Sequence, residues 1–153
     1  MRRKEKEISS RREIDEIIAK CQICHLGMAL DDQPYVIPVN FGHDGNQIYF
    51  HTARKGKKLD ILALNPRVCF QMECNTGLVA RTPEPCDWSF AFESIVGFGQ
   101  VHELIQPKEK KEGLMHIVRH YGGKAALPAE NKMAAVRVWC IHIEEVTGKR
   151  SMP

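Results

Sequence analysis

No stretch of the sequence approaches the ~20 consecutive apolar residues that a bilayer-spanning helix requires, so no membrane partner is expected. The opening Met1-Arg2-Arg3-Lys4-Glu5-Lys6-Glu7 is charged and no apolar stretch follows it, so we expect no secretory leader and a cytoplasmic setting. An excess of one charge is also missing. The 22 basic and 19 acidic residues leave a net charge of +3, too small by itself to indicate a nucleic-acid partner. Internal repeats and low-complexity tracts are absent, which excludes solenoid and collagen-like architectures. Two nucleotide signatures are missing as well. No Gly-x-x-x-x-Gly-Lys-Ser/Thr run exists, and Gly97-Phe98-Gly99 lacks the third glycine and the following helix of a dinucleotide fingerprint.

What remains is an ordinary globular composition, 43% apolar and 27% charged over 153 residues. That suits a single domain, in which roughly 70% of the unfolded surface can be buried. Six cysteines in a chain without an evident leader point to a reducing compartment and free thiols. Cys21-Gln22-Ile23-Cys24-His25 has the spacing of covalent haem attachment, but that chemistry normally follows export, and the segment runs directly into a strand. The same two cysteines would make half of a zinc site, yet Cys69 and Cys74 are separated by four residues and Cys86 stands alone, so no metal is expected.

Periodicity orders the elements. Ser10-Arg11-Arg12-Glu13 has capping-box spacing, and Ile14, Ile17, Ile18 and Cys21 form one apolar stripe, so a helix spans 10–21. Strands are predicted at 24–30, 35–41 and 47–52. Asp31-Asp32-Gln33 breaks the first pair, and Asp44-Gly45 supplies a hairpin turn between the second and third. Short connections make this an antiparallel three-strand meander. A helix over 57–64 stops at Asn65-Pro66, and a strand covers 68–73. Residues 75–87, with Gly77, Pro83 and Pro85, read as a loop. Residues 88–104 are β-rich, with Gly97 and Gly99 marking a bulge or close backbone approach. A helix opens at Pro107 and ends at Gly122-Gly123, and a strand covers 136–146. Consecutive strands exclude a doubly wound sheet. The fold class is α+β and β-rich, an antiparallel sheet or small barrel with peripheral helices. Residues 1–9 form a charged tail, 10–149 one domain, and 150–153 a C-terminal tail.

The chemistry-bearing segment is His51-Thr52-Ala53-Arg54-Lys55-Gly56-Lys57-Lys58, where a strand ends and a helix begins. A helix N-terminus presents free N–H groups, Thr52 a hydroxyl, the lysines charge, and Gly56 a permissive backbone. Together these suit a phosphate, although many basic loops are simply solvated. Two or three hydrogen bonds to a charged group supply about 4–8 kcal/mol, while association costs about 4–15 kcal/mol. A phosphate alone is therefore marginal, and a phosphorylated cofactor with an apolar body to bury is the better guest. His116 and His120 lie one turn apart, but without a glutamate beside the first they read as a solvated helix face. Trp88 and Trp139 read as core or interface residues, either able to stack on a planar cofactor.

The run Tyr35-Val36-Ile37-Pro38-Val39-Asn40-Phe41, then Ile48-Tyr49-Phe50-His51-Thr52-Ala53 with Gly56-Lys57-Lys58, resembles the pyridoxamine 5′-phosphate oxidase-like flavoproteins. Asn65-Pro66-Arg67-Val68-Cys69-Phe70 continues the likeness. Ser94-Ile95-Val96-Gly97-Phe98-Gly99 and the ending Ile143-Glu144-Glu145-Val146-Thr147-Gly148-Lys149 resemble the 5-nitroimidazole reductase (Nim) branch. The resemblance implies a split β-barrel homodimer with FMN at the subunit interface. It implies that His51, Thr52, Lys55, Lys57 and Lys58 lie at the phosphate and ribityl end, and that Pro38, Val39, Asn40 and Phe41 flank the flavin ring. It further implies contributions from Ser94 and Val96, and from Trp139 of the partner subunit, with His51 as the catalytic residue. The implied activity is FMN-dependent reduction of a nitroaromatic or similar small electrophile. A non-catalytic FMN carrier or sensor, or a haem-binding protein on the same fold, are the alternatives. Vitamin B6 oxidation is not expected, because the chain ends Glu145-Val146-Thr147-Gly148-Lys149-Arg150 in place of the arginine-containing motif that grips pyridoxal.

Overall fold

The structure is a computed structural model that describes residues 4–124 and 129–152; residues 1–3 of the expected N-terminal tail and Pro153 of the C-terminal one lie outside these. After a short 3-10 turn (Lys4–Lys6), the elements are β1 (Glu7–Ile8), α1 (Arg11–Lys20), β2 (Cys24–Leu30), β3 (Gln33–Val39), β4 (Phe41–His43), β5 (Gln47–Thr52) and α2 (Lys57–Leu64). They continue with β6 (Arg67–Val79), β7 (Ser89–Glu103), α3 (Pro107–His120), α4 (Glu130–Ala134) and β8 (Arg137–Ser151). The strands form one antiparallel sheet in the order β3-β2-β6-β7-β8-β5-β4, with β1 added to β8. This is the split-barrel α+β fold anticipated above. Among the described residues, no helix is long and apolar enough to cross a membrane.

The expected meander does not form. β2 and β3 do pair, across a turn in which Asp31 and Asp32 both adopt positive φ. The next strand breaks at Asn40, however. Phe41–His43 pairs with β5, and β5 takes β8 as its other neighbour. The reason lies in β3 itself. Pro34 and Pro38 cannot donate to a ladder, so β3 stays at the edge of the sheet and β5 must find partners elsewhere. β3 and β4 are the two ends of the strand order yet are joined through the single residue Asn40, which curls the sheet on itself.

The interior of this curled sheet is filled by Leu26, Phe41, Ile48, Phe50, Phe70, Met72, Ile95 and Ile141, with Ile14, Ile17 and Ile18 of α1 packed against them. A second, smaller core lies under α3, where Tyr49, Leu104, Leu114, Ile117, Val138 and Cys140 meet.

The sheet takes in more chain than periodicity shows. β6 runs on to Val79, absorbing part of the expected loop through a bulge between Cys74 and Gly77, and Asn75 there has φ 54°. β8 continues to Ser151, and Glu7–Ile8 pairs with Lys149 and Gly148, so both expected tails contribute to the sheet. The capping box of α1 is not made. Ser10 precedes the helix without a side-chain hydrogen bond, and Glu13 instead meets Arg150 at 3.2 Å. Arg150 also binds the buried Glu93 at 2.7 Å, and this long-range ion pair outcompetes the local cap.

Gly42 lets β4 lie directly on α3. A Cβ there would sit inside the backbone of His116 and Ile117, which no side-chain rotation relieves. Gly42→Ala should therefore destabilise the fold by about 3 kcal/mol, at the upper end of overpacking costs. Urea unfolding of both proteins, followed by circular dichroism, tests this; an unchanged midpoint would contradict the close approach.

Candidate functional site

β5 ends on Thr52, and the chain turns through Arg54 and Lys55 to Gly56, which precedes α2 with φ 134°. A side chain at Gly56 would meet nothing within 4 Å, so the requirement for glycine is conformational. His51, Thr52, Lys55, Lys57 and Lys58 thus flank the start of α2, whose free N–H groups favour anions. Among the described residues, no ion pair engages Arg54, Lys55, Lys57 or Lys58. The Lys57 ammonium instead lies 4.9 Å from the centre of the Tyr35 ring, which ties the turn to β3.

His51 is half-buried, and its Nδ1 is fully buried without a hydrogen-bond partner. Burial first, and the neighbouring Lys58 second, hold its imidazole below the ordinary histidine value. A neutral ring with an orphaned nitrogen beside uncompensated cations is poised to meet a negatively charged, hydrogen-bonding group.

Behind this turn stands Trp139. Its indole N–H donates to Thr52 Oγ1 at 3.0 Å, leaving the Thr52 proton free to donate elsewhere. Trp139 is buried within its own protomer, stacks on Phe50 at 6.4 Å and carries the Arg137 guanidinium 4.7 Å above its ring. The structure therefore gives Trp139 a supporting position behind Thr52 of its own protomer. Arg137 is held in turn by both carboxylate oxygens of Glu103. That pair keeps the Glu103 carboxyl below its usual range, assisted by Lys110 and Arg54. Arg54 Nη1 donates to the Ala134 carbonyl at 3.1 Å and so docks α4 beside the turn. Arg137 and Glu103 carry no sequence signal. Only the pairing of Thr52 with Arg137 and of Trp139 with Glu103 reveals them.

The segment Pro38–Phe41 reaches the same place by the Asn40 crossing. Phe41 pairs with Phe50, so one step along the register puts Asn40 next to His51. Pro38 and Asn40 are exposed. Val39 and Phe41 point into the core, so the Phe41 side chain is not offered to a ligand. Ser94 and Val96 are not brought to the site in one protomer. His51 lies opposite Val138, whereas Val96 and Ser94 lie opposite Thr147 and Lys149, nine and eleven residues further along β8 and three strands across the sheet from β3.

Val96 belongs to a different feature of the surface. On the outer face of the sheet, Val36, Gly27, Cys69 and Phe98 form one cross-strand row, and Pro38, His25, Gln71 and Val96 form the next. Val36 is 62% exposed, Phe98 50% and Val96 39%. An apolar groove of about 490 Å³ runs among Gly27, Val36, Cys69, Phe98 and Gly99.

The remaining histidines and cysteines have structural surroundings. His116 and His120 are not a solvated face. His116 stacks on Tyr49 at 4.6 Å, and His120 packs on Phe41 at 4.2 Å with its Nε2 2.8 Å from the Cys21 carbonyl. Cys21 and Cys24 are buried free thiols, and burial pushes Cys24 up to about 12. Among the described residues, no group of histidine, cysteine or carboxylate side chains could hold a metal ion. Trp88 is part-exposed, with its N–H on the Thr82 carbonyl at 2.9 Å.

Comparison with known proteins agrees with this fold. A family model described as pyridoxamine 5′-phosphate oxidase matches residues 10–150. The chain is similar to a Bacteroides thetaiotaomicron protein of known crystal structure, provisionally described as a 5-nitroimidazole antibiotic resistance protein. The two are 30% identical over 94% of this chain and 85% of that one, with a TM-score of 0.82. An FAD- and haem-binding protein from Mycobacterium smegmatis shares the fold with a TM-score of 0.84 at 19% identity, over 97% of this chain and 74% of that one. An uncharacterised Rhizobium meliloti protein is 26% identical over 93% of each chain.

The electrostatics of His51 can be tested directly. In a ring-proton NMR titration its midpoint should fall below 6.5. Lys58→Ala should raise that midpoint, because removing a nearby cation eases protonation. A wild-type midpoint at or above 6.5 would refute the surroundings described for the imidazole.

Proposed function

Because this chain belongs to the pyridoxamine 5′-phosphate oxidase family, we propose that the turn between β5 and α2 seats the phosphate of a flavin, FMN in particular, in an oxidoreductase. The observation that carries the reading is the orphaned, buried Nδ1 of His51 beside lysines that have no ion-pair partner among the described residues. A phosphate would supply the lysines with the anion that they lack. Support comes from relatives described as FAD-binding and from the one described as a 5-nitroimidazole antibiotic resistance protein. The basic turn favours the monophosphate FMN, since a phosphate and a ribityl chain account for its donors without a further nucleotide.

A bound flavin would supply the electron transfer. The chain's own residues bind and orient. Lys55, Lys57 and Lys58 neutralise the phosphate, and Thr52, its oxygen steadied by Trp139, donates its free proton. Pro38 and Asn40 present exposed surface beside His51, where the ring would extend. His51, neutral at pH 7, keeps one ring N–H with which it can hold the substrate by a hydrogen bond. A nitroaromatic or similar small electrophile is the proposed substrate class.

We also propose a homodimer formed through the outer sheet face. Val36, Val96 and Phe98 make an exposed apolar patch unusual for a lone subunit, and a second copy would bring its own Ser94 and Val96 toward the site that they cannot reach within one chain.

Purified protein should carry a flavin absorption spectrum, with FMN identified by mass spectrometry after release. Lys58→Ala should weaken FMN binding about tenfold, the loss of one charge-assisted hydrogen bond. Colourless protein that fails to quench FMN fluorescence in titration would refute the reading. The interface has its own test: Phe98→Asp should convert a dimer to a monomer in light scattering, and a wild-type monomer would refute it.

A further inference from the structure

The Asn40 crossing raises a problem that α3 solves. Phe41 begins β4 just after the strand break, and its backbone N–H donates to the Tyr121 hydroxyl at 3.2 Å. That hydroxyl donates its own proton to the Gln22 carbonyl at 2.7 Å. One phenol thus joins the crossing to the connection between α1 and β2. The neighbouring residue reinforces the same clasp. His120 Nε2 lies 2.8 Å from the Cys21 carbonyl, its ring packs on Phe41 at 4.2 Å and meets Tyr121 edge-on at 4.9 Å. The last turn of α3 therefore grips both segments at once.

In the segment so gripped, Asn40 lies between Val39, paired with Cys24, and Phe41, paired with Phe50 in the core. β3 is an edge strand whose only partner is β2, Pro38 has no N–H to donate, and Asn40 is exposed. Loss of the Tyr121 hydroxyl would leave the Phe41 N–H without that partner at the point where the chain passes from β3 to β4 beside His51.

We propose that Tyr121 is a positioning residue for the flavin: by fixing the Phe41 N–H it holds Pro38–Asn40 as the wall against which the ring lies. This rests on the flavin reading above. Tyr121 itself touches no cofactor. It acts through the backbone it pins, and the phenol is required because the position needs an acceptor for Phe41 and a donor for Gln22 in one group.

The test compares FMN binding by wild type, Tyr121→Phe and a stability control, Ile17→Val, which trims a buried methyl group on α1 and removes no hydrogen bond of the clasp. Fluorescence quenching should show Tyr121→Phe binding FMN about tenfold more weakly, as expected when one hydrogen-bonded pair is lost, with a visible band shape altered from wild type. Ile17→Val should lower the melting temperature at least as much while leaving affinity and band shape unchanged. Wild-type affinity and spectrum in Tyr121→Phe would overturn the role while leaving the flavin reading intact. Failure of wild type to bind FMN or FAD would overturn that reading and this role together. Amide exchange in flavin-free wild type gives a second measure that needs no variant. The Phe41 amide should be protected before any flavin is added. Exchange at the open-chain rate, with protection gained only on adding FMN, would show that the cofactor orders the segment and would overturn the proposal.

Discussion

Everything functional in this molecule depends on a connection one residue long. β3 and β4 sit at opposite ends of a seven-strand order, and Asn40 alone joins them. A flat sheet could not satisfy that link, so the sheet must curl until its two ends meet. The curling encloses the main core, and it also carries the exposed end of β3 to the end of β5, beside the basic turn. Curling and the meeting of β3 with the end of β5 are the same geometric event. That is why the crossing is so heavily braced, by Phe41 in the core, by Gly42 against the α3 backbone and by Tyr121 from outside.

Much of this was legible before any coordinates. α2 was predicted over 57–64 and is found there, because Gly56 opens it and Asn65-Pro66 closes it, both strong local signals. The basic turn follows from the same punctuation. The crossing was not legible, because residues 35–41 alternate as one continuous strand and nothing local marks Asn40 as the point where the partner changes. Pairing is a long-range property. The edge prolines hinted at it only in hindsight of the topology. The capping box failed for a related reason: Glu13 finds Arg150, 137 residues away, a preference invisible in a four-residue window. The position of Trp139 was likewise set by register. Opposite Phe50 it must face inward, so it supports Thr52 and does not line a surface.

The site illustrates how a fold divides charge between structure and function. Arg137 and Glu103 are spent on each other, holding the start of β8 and the indole beneath them. Arg54 is spent on the end of α4. The lysines of the turn are left over, with no carboxylate partner among the described residues, and so is the inner nitrogen of His51. Structural cations therefore surround a small group of uncommitted ones, and only the uncommitted ones can change partner when a ligand arrives.

At the far end of β8 the opposite economy holds, and it bears on how the molecule meets acid. Glu93 is buried in β7, where desolvation favours its neutral form. Hydrogen bonds from Arg150, Lys20 and Asn75 outweigh that and keep the carboxyl below its usual 4.5. Because the folded value lies under the unfolded one, its stabilising share is complete above about 4.5 and fades as pH drops through the lower, folded value. The donors come from β8, α1 and the β6 bulge, so protonating this one side chain loosens three elements together. Acid should thus dismantle the molecule from this end of β8, with the helix, the terminal strand and the kinked ribbon letting go as a unit.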